Sequence, residues 1–394
     1  MNATDRSAAR PPAIISPPVD LLCCGGFSIL MIIGFLVYAQ FLPSEVAHGL
    51  NFQYLIIGTV LVNSPHFMAS YRLLYWSKID IRQHLLASTY IPTLLVICGL
   101  IAVFTATDGY TNKVIVDIVT AIAAYLLAWH YTGQVWGMTA SFLYISGIRI
   151  DKTERFLIRS SLRALLVWHL LWTTMQNNAQ VAILIKNVVL QWAFVSDEAA
   201  LIGGIRDLIF VAYFFGTAIA FSTILLGAVG FWKLWKRTGQ APPARAIVPW
   251  VAIWFWYLLV YYYPSAFIFL QISHALQYII FPIRVEMNRY DRETQASEPQ
   301  QTWHAIWYYV ALIVVGVVVY SGPPLFLTGD DPTLGLMALI SASISIHHYF
   351  IDGAIWKISN PHVRADLFAH LKSEPSESTG KSKQSKSKHR SAKR

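Results

Sequence analysis

The feature that most constrains this chain is the recurrence of uninterrupted apolar runs of about 20 residues, the length a helix needs to cross a bilayer. Ten can be drawn: 21–42, 54–74, 85–104, 117–144, 164–192, 208–232, 247–263, 265–283, 304–321 and 334–356, with only Pro264 separating the seventh from the eighth. In hydrocarbon the backbone has to satisfy its own hydrogen bonds, so only helices and closed barrels span. Barrel strands alternate apolar and polar residues over short segments; these runs are long and continuous. The expected fold is therefore all-α, a polytopic transmembrane helix bundle of about ten spans. Composition agrees: 13% of residues are charged and the mean hydropathy is +0.48, against about 25% charged in soluble domains. The bundle forms one domain over 21–358, with an N-terminal cytoplasmic tail at 1–20 and a basic, disordered cytoplasmic tail at 359–394.

Lys and Arg in short loops set orientation. Arg6 and Arg10, Lys78 and Arg82, the group from Arg149 to Arg163, Lys233 to Arg245, and Arg284 to Arg292 all fall on one side. Glu45, Asp108 with Lys113, Asp197 with Arg206, and Asp330 with Asp331 fall on the other. Both termini are thus expected in the cytoplasm, in a multi-pass protein of a bacterial inner membrane. The net charge of +9 does not indicate a nucleic-acid partner, because eight Lys or Arg and two Glu lie between Lys372 and Arg394 in a Ser/Lys-rich tail. Such a tail cannot bury enough apolar surface to fold. Cys23, Cys24 and Cys98 have neither disulfide nor metal-ligand spacing. The first twenty residues carry Arg6, Arg10 and several prolines, and no cleavable signal peptide is evident.

Within this apolar background, ISIHHYFIDGAIWK at 344–357 puts two histidines and an aspartate inside a span. Ionisable groups in hydrocarbon cost several kcal/mol unless paired, which makes them functional-site candidates. Six of the twelve histidines fall in spans: His66, His130, His169, His274, His347 and His348. Measured from the cytoplasmic ends, they lie in one slab of the membrane, with His130 deepest. Imidazole is the commonest metal ligand, and its second nitrogen needs an orienting partner. Candidates stand one helical turn away: Asn63 for His66, Gln134 for His130, Gln277 for His274 and Asp352 for His348. His66, His130, His274, His347 and His348 are the candidate metal ligands, although the adjacent pair points about 100° apart around its helix. Asp352 is the catalytic candidate; it could orient His348, ligate, or neutralise an arginine.

Blander readings stand beside these. His169 has no such neighbour and reads as a helix-to-helix hydrogen bonder, while His84 and His304 read as interfacial. Gln176, Asn177, Asn178 and Gln180 could line a wet cavity or bridge helices. The aromatic stretch from Trp250 to Tyr263 contains both belt and pocket candidates.

Pro65-His66 on an early span, His348-x-x-x-Asp352 on a late one, and single histidines on separate helices resemble the arrangement in the Brp/Blh-type bacterial membrane carotenoid oxygenases. That resemblance implies a non-haem Fe(II) held by histidines from several helices, with O2 and a lipid-soluble substrate meeting at the metal. Where that family has Pro-His-Gly and an Asp-His pair, this chain has Phe67 and Ser70-Tyr71, so His130 or His347 takes the place of one ligand. The HxxxH and HxxHH boxes of membrane desaturases and alkane hydroxylases are absent. The resulting expectation is an integral-membrane, His-ligated metalloenzyme, an iron oxygenase or hydroxylase. Its alternatives are a proton-coupled transporter using the membrane histidines, Lys186 and Asp352, and a bis-His haem protein for electron transfer. A scaffold, or a transferase using the histidines as acid and base, completes the list.

Overall fold

The computed structural model describes residues 12–41, 56–106, 111–179, 181–182, 185, 197–326, 331–357 and 360–371. Every regular element among them is helical. The helices are α1 (Pro17–Ala39), α2 (Ser64–Tyr75), α3 (Lys78–Gln83), α4 (Leu86–Phe104), α5 (Lys113–Ile145), α6 (Lys152–Gln176) and α7 (Glu198–Ser222). They continue as α8 (Ile224–Thr238), α9 (Ala244–Tyr262), α10 (Phe267–Thr294), α11 (Glu298–Phe326), α12 (Asp331–Ile355) and α13 (Pro361–Leu367). Among the described residues, seven helical stretches are long and apolar enough to cross a membrane: α1, α4, α5, α7 with α8, α9, α10 and most of α11. Gln180, Lys186 and most of both expected tails lie outside the described residues.

Local chemistry explains where the helices begin and end. Asn112 caps α5 by accepting the Val114 N–H, and Asp151 with Glu154 forms a reciprocal capping box on α6. Pro264 opens a single 3-10 turn between α9 and α10, which is the break expected there. Gly25 has φ 141°, and a Cβ at that position would lie 2.5 Å from the Ala252 side chain. Only glycine allows α1 to bend there and approach α9 so closely.

Packing is aromatic, and buried indole N–H groups need acceptors. Trp256 donates to Ser28 on α1, Trp250 to Ser161 on α6, and Trp168 of α6 to Thr217 on α7, each at 2.9 Å. The aromatic stretch of α9 is thus core from Trp250 to Tyr257, whereas Tyr261 and Tyr262 are exposed.

The terminal tails are shorter than expected. Residues 12–20 are folded: Asp20, fully buried, accepts the Ile14 and Ile15 N–H groups at 2.8 and 2.9 Å and pairs with Arg245 at 3.2 Å. After residue 359, α13 docks on α10, where Asn288 donates to the Asp366 and Leu367 carbonyls and Asp366 pairs with Arg289 and Arg292. His370 meets the Ala13 carbonyl at 2.8 Å, so both terminal segments sit at the same end of the bundle. Composition missed this because single buried residues such as Ile14, Leu367 and Phe368, together with polar contacts, hold these segments down rather than long apolar runs.

Candidate metal centre

Four helices converge on the centre. α2 packs on α10, α11 and α12, and α5 packs on α12. They bring together His66 from α2, His130 from α5, His274 from α10 and His348 from α12, all buried. One nitrogen from each lies within 4.8 Å of all the others. The rings crowd: centroids are 4.3 Å apart for His66 and His348, 4.6 Å for His130 and His274, and 4.9 Å for His130 and His348.

Asp352 closes the group. Its Oδ2 lies 3.3 Å from His348 Nε2, 3.8 Å from His130 Nε2 and 4.0 Å from His66 Nε2. Its Oδ1 is held elsewhere, accepting from Ser70 Oγ at 2.7 Å and from the Tyr278 hydroxyl at 3.0 Å. Trp356 Nε1 in turn donates to the Tyr278 oxygen at 2.8 Å. One carboxylate oxygen is therefore anchored and the other is turned toward the imidazoles.

The unsatisfied atoms provide a test of fit. Among the described residues, His66 Nε2, His348 Nε2 and Asp352 Oδ2 are buried without a hydrogen-bond partner, a costly state for polar atoms. The His130 and His274 Nε2 atoms are 2.9 Å apart. Ligands about 2.1 Å from one ion lie about 3.0 Å apart at a right angle, about 3.4 Å at the tetrahedral angle and about 4.2 Å when opposite. The observed separations fall close to this range, so the buried four-histidine group can hold a metal ion, and Asp352 Oδ2 lies beside it.

Other expected residues sit differently. His347 points away from the group: Ala87 O lies 2.8 Å from its Nε2 and the Tyr71 hydroxyl 3.0 Å from its Nδ1. The rotation of about 100° between neighbours on a helix sends His347 and His348 to different faces. Gln134 donates to the main-chain carbonyl of His274 at 3.0 Å, and Gln277 to the Cys24 carbonyl at 2.8 Å. Both amides brace the backbone near the site instead of orienting a ring. Asn63, whose main chain faces the His66 ring, lines a cavity beside it. His169 bonds the Tyr257 hydroxyl at 2.9 Å, the helix-to-helix role expected of it.

Ser70, Tyr278 and Trp356 were missed as parts of the site. Each stands four residues after a site residue, His66, His274 and Asp352 respectively, and that spacing was the available signal.

Among the described residues, two cavities reach the group. A cavity of about 330 Å³ reaches His130, Tyr278, Tyr349 and Asp352 between walls of Trp129, Trp136, Phe281 and Trp356. A smaller one of about 170 Å³ touches His66, His130 and His274. Comparison of the chain with protein-family models, with curated proteins and with solved structures returns no match.

Proposed function

We propose that the chain is an integral-membrane metalloenzyme, a non-haem iron oxygenase or hydroxylase acting on a lipid-soluble substrate. The observation that carries this reading is the convergence of four imidazoles and one carboxylate oxygen, with three of those atoms buried and unpartnered, beside an apolar cavity. His66, His130, His274 and His348 would hold the ion, and Asp352 would supply a negative charge to it. Histidine with carboxylate suits a non-haem ferrous ion that retains an open position. When bound, that ion supplies O2 activation.

The chain's own groups do the rest. Ser70 and Tyr278 hold the carboxylate in place, Gln134 fixes the main chain of His274, and the aromatic walls of the larger cavity offer an apolar substrate a surface to lie against. Crowding among the four rings favours a bare ion over haem, because a porphyrin needs a clear plane between two axial histidines. The reading also agrees with what the resemblance to the Brp/Blh-type oxygenases implies.

The topology we propose adds the helical stretch 56–75, which ends in α2, together with α6 and α12 to the seven membrane-length stretches, making ten spans with both termini in the cytoplasm of a bacterial inner membrane. The shared end of the two terminal segments supports an even number of crossings.

Anaerobic reconstitution with Fe(II), followed by nitric oxide, tests the reading. The expected result is the high-spin EPR signal of a non-haem ferrous nitrosyl, without a Soret band. A Soret band in the protein as purified, or reconstituted protein that retains no iron, would overturn it.

A further inference from the structure

The larger cavity has a second chemistry at the end away from the histidines. Its lining on α5 runs from Trp129 to Ser141, about 18 Å of helix at 1.5 Å per residue. One end carries His130, with Tyr349 and Asp352; further along stand Arg159 from α6 and Lys357 just beyond α12. Among the described residues, neither cation makes an ion pair with a carboxylate. Glu154 binds Arg237 at 2.7 and 2.8 Å, Asp366 binds Arg289 and Arg292, and Asp352, which lines the same cavity, turns its free oxygen to His348 at 3.3 Å.

Arg159 also carries a repulsion that an anion would offset. Arg155 and Arg163 stand one turn to either side on the same helix, and like charges at that spacing destabilise a helix. Its guanidinium lies 5.6 Å from the centre of the Trp136 ring, which itself lines the cavity.

The floor of the cavity is open for a chain. Gly133 and Gly137 lie on one face of α5, and a Cβ at either would meet nothing within 4 Å. Elsewhere the same wall is tight: a Cβ on Gly353 would come within 2.7 Å of the Trp129 ring. An apolar trough with two unpaired cations at one end and the histidine group at the other matches an elongated amphiphile with a charged head.

We propose that the substrate is an amphipathic anion whose carboxylate or phosphate head binds Arg159 and Lys357. Its apolar body lies along Gly133 and Gly137 and presents a carbon remote from the head to the group at His130 and Asp352. This rests on the reading of the cavity as the substrate site, and it selects among lipid-soluble substrates: a neutral hydrocarbon has no use for the two cations.

The test uses full-length protein in phosphatidylcholine nanodiscs, with empty nanodiscs subtracted, and three probes sharing one chain: laurate, dodecyl phosphate and dodecanol. At least one anion is expected to bind about tenfold more tightly than the alcohol, a difference of about 1.4 kcal/mol; which anion does so separates a carboxylate from a phosphate head. Dodecanol binding as well as both anions would overturn the proposal, and this comparison needs no variant. In R159Q/K357Q the anion preference should vanish while dodecanol binding persists; an unchanged preference would overturn it. In G137L, where the added Cβ meets nothing within 4 Å and the side chain extends into the trough, all three probes should be lost; binding equal to wild type would overturn it. Metal content of the same samples separates the two levels of the account. Loss of anion preference with the metal retained leaves the metal centre standing, whereas absence of metal from wild type removes the reading beneath it.

Discussion

Replacing Asp352 with Asn separates a metal-facing carboxylate from a structural one. Asn keeps the shape and keeps an oxygen for Ser70 Oγ and the Tyr278 hydroxyl, at 2.7 and 3.0 Å in the wild type. What it changes is the atom facing His348, His130 and His66 at 3.3, 3.8 and 4.0 Å. In the metal-loaded protein that removes a negative charge beside the ion. Loss of a partner at a metal site weakens affinity about 10- to 100-fold, which corresponds to about 1.4–2.8 kcal/mol. In the metal-free protein the sign reverses. The wild-type Oδ2 is a buried acceptor without a partner, a state that costs about 1–3 kcal/mol. An amide NH2 turned the same way can donate to a ring nitrogen. Metal-free D352N is therefore expected to melt no lower than metal-free wild type, and the stabilisation that added metal gives should shrink. Thermal unfolding in detergent, followed by tryptophan fluorescence with and without Fe(II), reads both quantities. A variant that keeps full metal stabilisation yet melts much lower without metal would refute the reasoning, because the carboxylate would then be a structural group.

Three further outcomes follow from the same geometry. Changing Tyr278 to Phe removes one donor to Asp352 and the acceptor of Trp356. Hydrogen bonds to charged groups are worth about 1.5–3 kcal/mol, so metal affinity measured by chelator competition should fall about tenfold or more. Gly353→Val should displace the Trp129 ring, which a Cβ alone would approach to 2.7 Å; the expected readout is weaker binding of cavity probes with metal content kept. The third concerns the terminal segments. Burial is the main cause holding the His370 imidazole below its usual pKa, with Arg284 adding to it, while the Ala13 carbonyl and Asp20 act in the opposite sense. A histidine depressed in the folded state takes up its proton more readily when the segment is released. Docking of α13 should therefore be strongest above about pH 6.5 and weaken as pH falls below it. Hydrogen exchange over 361–371, corrected for the intrinsic rate, should show faster opening at pH 5 than at pH 7.5, and His370→Gln should remove the difference.

Much of the helical architecture was legible because apolar runs of membrane length admit few alternatives. The histidine group was legible because a buried ionisable side chain in such a run stands out, and because equal depth on separate helices is countable from loop charges. Faces were harder to assign. His347 and His348 are adjacent, and sequence alone does not say which of two directions about 100° apart meets the other helices; the Ala87 carbonyl decided it. Gln134 and Gln277 share faces with their histidines, but their partners are main-chain carbonyls at 3.0 and 2.8 Å, and spacing along one helix does not report such contacts. Tyr278 and Ser70 are neutral, so neither draws attention until Asp352 is seen between them. The contact of His370 with Ala13 joins residues at opposite ends of the chain.

The central claim is that four histidines, and not five, converge on one metal ion. Elemental analysis of protein purified without chelators, for the wild type and for single His→Ala changes at positions 66, 130, 274, 347 and 348, tests it most directly. The account predicts about one iron per chain in the wild type and in His347→Ala, whose ring is tied to Ala87 and Tyr71, and a large loss in each of the other four. No metal in the wild type, or a loss in His347→Ala equal to that of His348→Ala, would contradict it.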